Sequence, residues 1–246
     1  MNGCIRITIT KTAGSVPREA GTQMLVWNDH IEGTIGGGAL EWQAIAAARR
    51  MFATGTVQET QTIPLGPALG QCCGGSVTLA FAETTELTTK PQRPLWVYGA
   101  GHVGRAIVHV MATLPDFDIT WIDTNASRFP ETDVTTLIAK DPAQIVKHAP
   151  RNADHLILTY SHDIDLALCH ALLLHQFASA GLIGSTTKWT RFRKRLQALG
   201  HAPAQITRIA CPIGDPMLGK HPAAIALGVA TAMITPQNRA TKDHAG

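Results

Sequence analysis

Residues 95–104 read LWVYGAGHVG. A short apolar run leads into Gly99, Gly101 and Gly104 at G-x-G-x-x-G spacing, and a helical pattern follows. Such glycines allow a tight turn and let backbone N–H groups approach a phosphate at the start of the helix. The next apolar run, DITWID (118–123), ends on Asp123, 19 residues after Gly104. That spacing suits a carboxylate meeting a ribose hydroxyl. The stretch predicts a Rossmann-type domain, with Gly99, Gly101, His102, Gly104 and Asp123 as candidate nucleotide contacts. The pattern is equally compatible with a Rossmann fold that binds something else.

The residues around this stretch continue the alternation. A helix is expected at 103–113 and a short strand near 133–139. A capped segment begins at Asp141-Pro142, where Asp suits the N-cap and Pro the first helical position. A buried strand is expected at 154–160, an apolar helix at 163–177 and a strand at 180–185. A basic helix at 186–199 stops at Gly200. A sixth strand at 206–214 and a helix at 221–234 complete the series. Regular strand–helix alternation predicts a parallel, doubly wound sheet.

Residues 1–89 have a different texture. Strands are expected at 4–11, 22–27, 56–63 and 76–82, with one alanine-rich helix at 39–53 and Gly55 as its stop. KPQRP (90–94) reads as a linker. The expected organisation is therefore α/β: a strand-rich α+β domain over 1–89, a Rossmann-like domain over 94–235 and a polar tail over 236–246.

Composition narrows the function. A net charge of +3 over 246 residues is too weak to argue for nucleic acid. No apolar run approaches the length of a membrane span, and MNGCIRITIT lacks the features of a signal peptide. The reading is a cytoplasmic protein whose five cysteines are reduced. Their spacing contains no C-x-x-C pair and forms no disulfide framework.

Several stretches can carry chemistry. Gly36, Gly37 and Gly38 precede a helix, where free amides form an anion site. The loop AGSVPREAG (13–21) offers Arg18 as a clamp for phosphate or carboxylate, although a plain solvated loop is the reading that starts ahead. SHDIDLAL (161–168) places His162 and Asp163 after a strand, at the sheet edge where open α/β folds bind ligands; a plain helix cap is the competing reading. Lys188, Arg191, Arg193, Lys194 and Arg195 make a basic helix that reads as a solvated face, with a docking surface for an acidic partner or a phosphate as the competing reading. Cys4, Cys169 and Cys211 read as small buried apolar residues. Cys72 and Cys73 differ: they lie in LGQCCGG (69–75), where glycine amides favour a thiolate.

Taken in order, GSVPREAG, GTIGGGALEW, LGQCCGG, VYGAGHVGRA, SHDIDLAL, GLIGS and CPIG resemble the XdhC/CoxI family of xanthine dehydrogenase accessory proteins. The likeness runs along nearly the whole chain. It implies a molybdenum cofactor chaperone rather than an enzyme. Such a protein binds the molybdopterin cofactor, supports its sulfuration by a cysteine desulfurase, and aids its insertion into the molybdenum-binding subunit of xanthine dehydrogenase. Cys73 matches the family's C-G-G position and becomes the expected molybdenum contact, with Cys72 and Gln71 beside it. A soft thiolate suits that metal. The resemblance also implies a homodimer. Either Gly36–Gly38 or the Gly99–Gly104 turn is expected to hold the pterin phosphate, and a nucleotide in the Rossmann domain stays open.

Two other readings compete. An NAD(P)-dependent oxidoreductase explains Gly99–Gly104 and Asp123 but leaves Cys72 and Cys73 idle. Neither Tyr98 nor Tyr160 has a lysine four residues on. A redox module using Cys72 and Cys73 requires a strained ring.

Overall fold

The computed structural model describes residues 3–55, 60–66, 74–84 and 92–235. The chain divides into two compact units, Met1–Thr89 and Lys90–Gly246.

The first unit has β1 (Cys4–Ala13), β2 (Gln23–Val26), β3 (Ile31–Gly33), helix α1 (Gly38–Thr54), β4 (Thr60–Pro64) and β5 (Ser76–Thr84). The strands form an antiparallel sheet in the order β3-β2-β1-β5-β4. Alternation decides which face is covered. Ile5, Ile7 and Ile9 of β1 and Val77, Leu79 and Phe81 of β5 are buried, each two residues from the next. They pack on Leu40, Ala44, Ala47, Ala48 and Met51 of α1, which recur at helical spacing. The alanines carry no side-chain entropy cost and bring the helix close to the sheet. Gly55 ends α1 in the left-handed region, at φ 67°, and its N–H returns to the Met51 carbonyl.

The second unit has β6 (Arg93–Tyr98), α2 (His102–Met111), β7 (Phe117–Asp123), β8 (Thr135–Ile138), β9 (Asp154–Ile157), α3 (His162–Leu173), β10 (Ser179–Leu182), α4 (Thr186–Ala198), α5 (Pro203–Ile206), β11 (Ile209–Ala210) and α6 (Pro222–Ile234). Its six strands are parallel in the order β11-β10-β9-β6-β7-β8. This is the Rossmann arrangement. The sequence order reverses at β6, which opens a crevice at the carboxyl ends of β6, β7 and β9. Each face carries its own core. Ile107, Val108 and Met111 of α2 meet Ala226, Val229 and Ala230 of α6 over Leu95 and Val97. Leu166, Cys169 and Leu172 of α3 meet Phe192 and Leu196 of α4 on the other side.

Several elements differ in extent from expectation; the strands expected at 154–160 and 180–185 end at Ile157 and Leu182. The sixth strand shrinks from 206–214 to Ile209–Ala210. Pro203 starts a short helix ahead of it, and Pro212, having no N–H, cannot continue the ladder. The helix expected at 163–177 ends at Leu173. Asp141 caps the segment Pro142–His148 by accepting from the Ala143 N–H at 3.1 Å, and that segment is a 3₁₀-helix.

Candidate functional site

Three glycine-bearing loops meet in the first unit. Ser15 pairs with Gly74 in an isolated bridge. A side chain at Gly75 would come 2.3 Å from the Ser15 carbonyl oxygen and 2.6 Å from that of Ala13, so only glycine fits. On the other side of the same loop, a Cβ at Gly36 would sit 2.7 Å from the Pro17 ring. The loop 13–21 is thus held between Gly74–Gly75 and Gly36. Arg18 is exposed there, its stem beside Gly36, and no side chain of the described residues pairs with its guanidinium. Gln71, Cys72 and Cys73 lie outside the described residues; the next residue, Gly74, is the one paired with Ser15.

The expected anion site at Gly36–Gly38 already has an occupant. Glu41, in the first turn of α1, turns back so that Oε2 accepts from the Thr34 hydroxyl at 2.6 Å, the Gly37 N–H at 3.0 Å and the Ile35 N–H at 3.1 Å. Burial raises the carboxyl's pKa, but these donors outweigh it and hold Glu41 below the usual glutamate value. All three glycines have positive φ, at 126°, 73° and 62°. They let the backbone wrap around the Glu41 carboxylate.

In the second unit, the Gly99–Gly104 turn joins β6 to α2 at the crevice. Asp123, at the end of β7, is 3% exposed. Its Oδ2 accepts from the Ala100 N–H at 2.6 Å and Arg128 Nε at 3.1 Å. Its Oδ1 accepts from the Thr124 N–H at 2.6 Å and the Thr124 hydroxyl at 3.3 Å. A carboxylate offers about four acceptor positions, so Asp123 is saturated by the protein itself. His102 is the first residue of α2 and is exposed. His162 and Asp163 open α3, both exposed: His162 stands edge-on to Phe192, and Asp163 faces Arg195 at 3.5 Å. Ser161 caps that helix through the Ile164 N–H.

Comparison with known proteins places the chain. The XdhC Rossmann domain family matches residues 95–233, and the XdhC and CoxI family matches residues 2–63. The chain belongs to the XdhC family. A curated relative of this XdhC-family chain is the uncharacterized protein YqeB of Escherichia coli (strain K12). It is 30% identical over 246 aligned positions, covering 94% of this chain and 43% of the relative. The chain therefore spans less than half of that relative's length. A solved structure described as a xanthine dehydrogenase from Bacillus halodurans superposes with a TM-score of 0.79 at 18% identity, covering 99% of this chain and 94% of its own. At that identity the likeness carries the fold alone.

The basic helix hides a feature that the sequence does not announce. Lys188 reads as part of a solvated basic face, yet its side chain is 11% exposed. Its ammonium pairs with the fully buried Asp165 at 2.5 Å and donates to the Ile183 carbonyl at 2.9 Å. Asp165 also accepts from the Thr159 N–H and hydroxyl. Arg191, Arg193, Lys194 and Arg195 are exposed as expected. Nothing in a run of five cations marks the one that turns inward. Cys211 lies close to Lys188, against Gly184. Burial pushes its thiol up to about 11 despite that cation, so it stays protonated at neutral pH. Burial also raises the Cys4 and Cys169 thiols. Among the described residues no group of three or more His, Cys, Asp and Glu converges to hold a metal ion, and no helix is long and apolar enough to cross a membrane.

Proposed function

We propose that this XdhC-family chain is an accessory protein of xanthine dehydrogenase that carries the molybdenum cofactor as cargo. The observation that carries this reading is the pairing of Ser15 with Gly74, together with Pro17 packed on Gly36. It gathers three of the family's motifs around one surface of the first unit. The same pairing joins Gly74, the residue after Cys73, to the loop that carries the exposed Arg18. A thiolate suits the metal end of the cargo, and a guanidinium suits its phosphate. With Glu41 filling the amides of Ile35 and Gly37, Arg18 is the better phosphate ligand of the two.

In this reading Cys73 holds the molybdenum, with Cys72 and Gln71 adjacent. The chain shields the cargo during sulfuration by a cysteine desulfurase and delivers it to the molybdenum-binding subunit of xanthine dehydrogenase. The carrier works in the cytoplasm as a homodimer and performs no turnover of its own. The test is anaerobic incubation with molybdenum cofactor, followed by desalting. Molybdenum is then read by mass spectrometry and pterin by fluorescence after oxidation. Retention of both, reduced in Cys73→Ala and in Arg18→Ala, is the expected result. Full retention in both variants refutes the site.

A further inference from the structure

The three glycines of the turn after β6 are not equivalent. Gly99 has φ 116°, and a Cβ there would lie 2.4 Å from the Leu158 carbonyl oxygen. A Cβ at Gly104 would lie 2.0 Å from the Gly99 carbonyl oxygen. The fold itself therefore requires both. Gly101 differs: its φ of −77° and ψ of −175° are extended values that any residue adopts. Among the described residues nothing lies within 4 Å of where its Cβ would project. No packing or backbone constraint among the described residues asks for glycine at 101. What glycine leaves there is a bare backbone facing open space, at the crevice where the strand order reverses.

The side of the crevice next to β7 shows what kind of ligand fits. A ribose diol is read by a carboxylate with free acceptor positions. Asp123 has none to spare: it ties the turn through Ala100 and holds Arg128. Arg128 spends only Nε on this bond, and among the described residues no hydrogen bond uses its two η nitrogens. Its guanidinium carbon lies over the ring of Tyr160, 4.8 Å from the centroid; Tyr160 follows β9 and is 62% exposed. This contact and the Nε bond to Asp123 hold the guanidinium at two points and use neither η nitrogen. A fixed planar fork of N–H donors matches a phosphate and not a pair of hydroxyls. Arg105 adds a second cation, bonded to the carbonyls of Ala100 and Arg128.

We propose that the Rossmann unit binds an adenine dinucleotide of the 2′-phosphorylated class, with its pyrophosphate over Gly101 and its ribose phosphate on the η nitrogens of Arg128. This site is separate from the one assigned to the cargo and stands or falls independently of it. It requires no hydride chemistry, only binding.

Calorimetric titration of the full chain with NADPH, NADH, 2′,5′-ADP and 5′-AMP tests it. The 2′-phosphorylated ligands are expected to bind at least about tenfold tighter than their partners, the usual worth of a charge-assisted phosphate contact. Arg128→Ala should abolish that preference. Gly101→Ala should keep the native circular dichroism spectrum, because its backbone suits alanine, and should weaken every ligand by about tenfold or more through a methyl group in the phosphate's place. Equal affinity for NADPH and NADH overturns the assignment of Arg128, as does a preference that survives Arg128→Ala. Wild-type affinity in Gly101→Ala, or no binding of any ligand at millimolar concentration, overturns the site.

Discussion

Acid should destabilise the second unit through His155, and replacing that residue with phenylalanine should remove much of the effect. His155 sits in the middle of the sheet on β9, 1% exposed. It stacks on Tyr98 with ring centroids 5.9 Å apart, and Phe177 stands edge-on at 6.3 Å. Its Nδ1 meets the Tyr98 hydroxyl at 3.3 Å, while its Nε2 has no hydrogen-bond partner among the described residues. Burial, with a smaller contribution from His175, drives its pKa down from 6.5 to about 3. The unfolded chain therefore binds a proton between those two values that the folded chain refuses. Stability is complete above pH 6.5 and falls as pH drops toward 3. Each pH unit in that window costs about 1.36 kcal/mol, so the loss between about pH 7 and pH 4.5 is roughly 2.5 kcal/mol. His155→Phe keeps the ring in its stack and has nothing to protonate. Urea unfolding followed by tryptophan fluorescence at pH 7, 5.5 and 4.5 measures the difference. The other titrating groups, including the buried His201, are common to both chains and cancel in the comparison. Equal loss of stability in wild type and variant would refute the argument.

Other expectations follow from the same geometry. Glu41→Gln should destabilise the first unit by about 1–2 kcal/mol in urea unfolding, since a neutral amide replaces a carboxylate that gathers three donors. The Glu41 carboxyl has a lowered pKa, so its stabilisation is complete above the ordinary glutamate value and disappears as pH falls through the folded one. Lys188→Met strands the buried Asp165 carboxylate and should cost about 3–5 kcal/mol. The double variant Lys188→Met/Asp165→Asn should melt higher than Lys188→Met alone, and a lower melting temperature for the double refutes the pairing argument.

The fold is largely legible in the sequence because its signals are local and periodic. Glycines at fixed spacing between a strand and a helix announce the Rossmann unit, and two-residue alternation announces β1 and β5. What escapes depends on partners brought together by folding. Lys188 is indistinguishable from its solvated neighbours until α4 packs on α3 and brings Asp165 within 2.5 Å. Asp123 does stand at the end of β7, but it is no free ribose ligand, because Arg128, five residues on, and the turn amide of Ala100 help to fill it. The amides of Ile35 and Gly37 gather on an anion, but it is Glu41 from the helix that follows.

The glycines of this chain separate into those the protein needs for itself and those it does not. Gly36 and Gly75 are fixed by the Pro17 ring and the Ser15 carbonyl, and Gly99 and Gly104 by Leu158 and by each other. Substituting any of these disturbs the fold whatever the ligand, so a loss of function there says nothing about binding. Gly101 breaks the pattern, with an ordinary backbone and empty space in front of it. Alanine at 101 therefore separates what the turn does for a ligand from what it does for the fold. The same variant should leave retention of the molybdenum cofactor unchanged, since that cargo is assigned to the first unit. If Gly101→Ala instead lost the cofactor while keeping its spectrum, the pterin phosphate would belong on the Rossmann turn and Arg18 would be the wrong ligand.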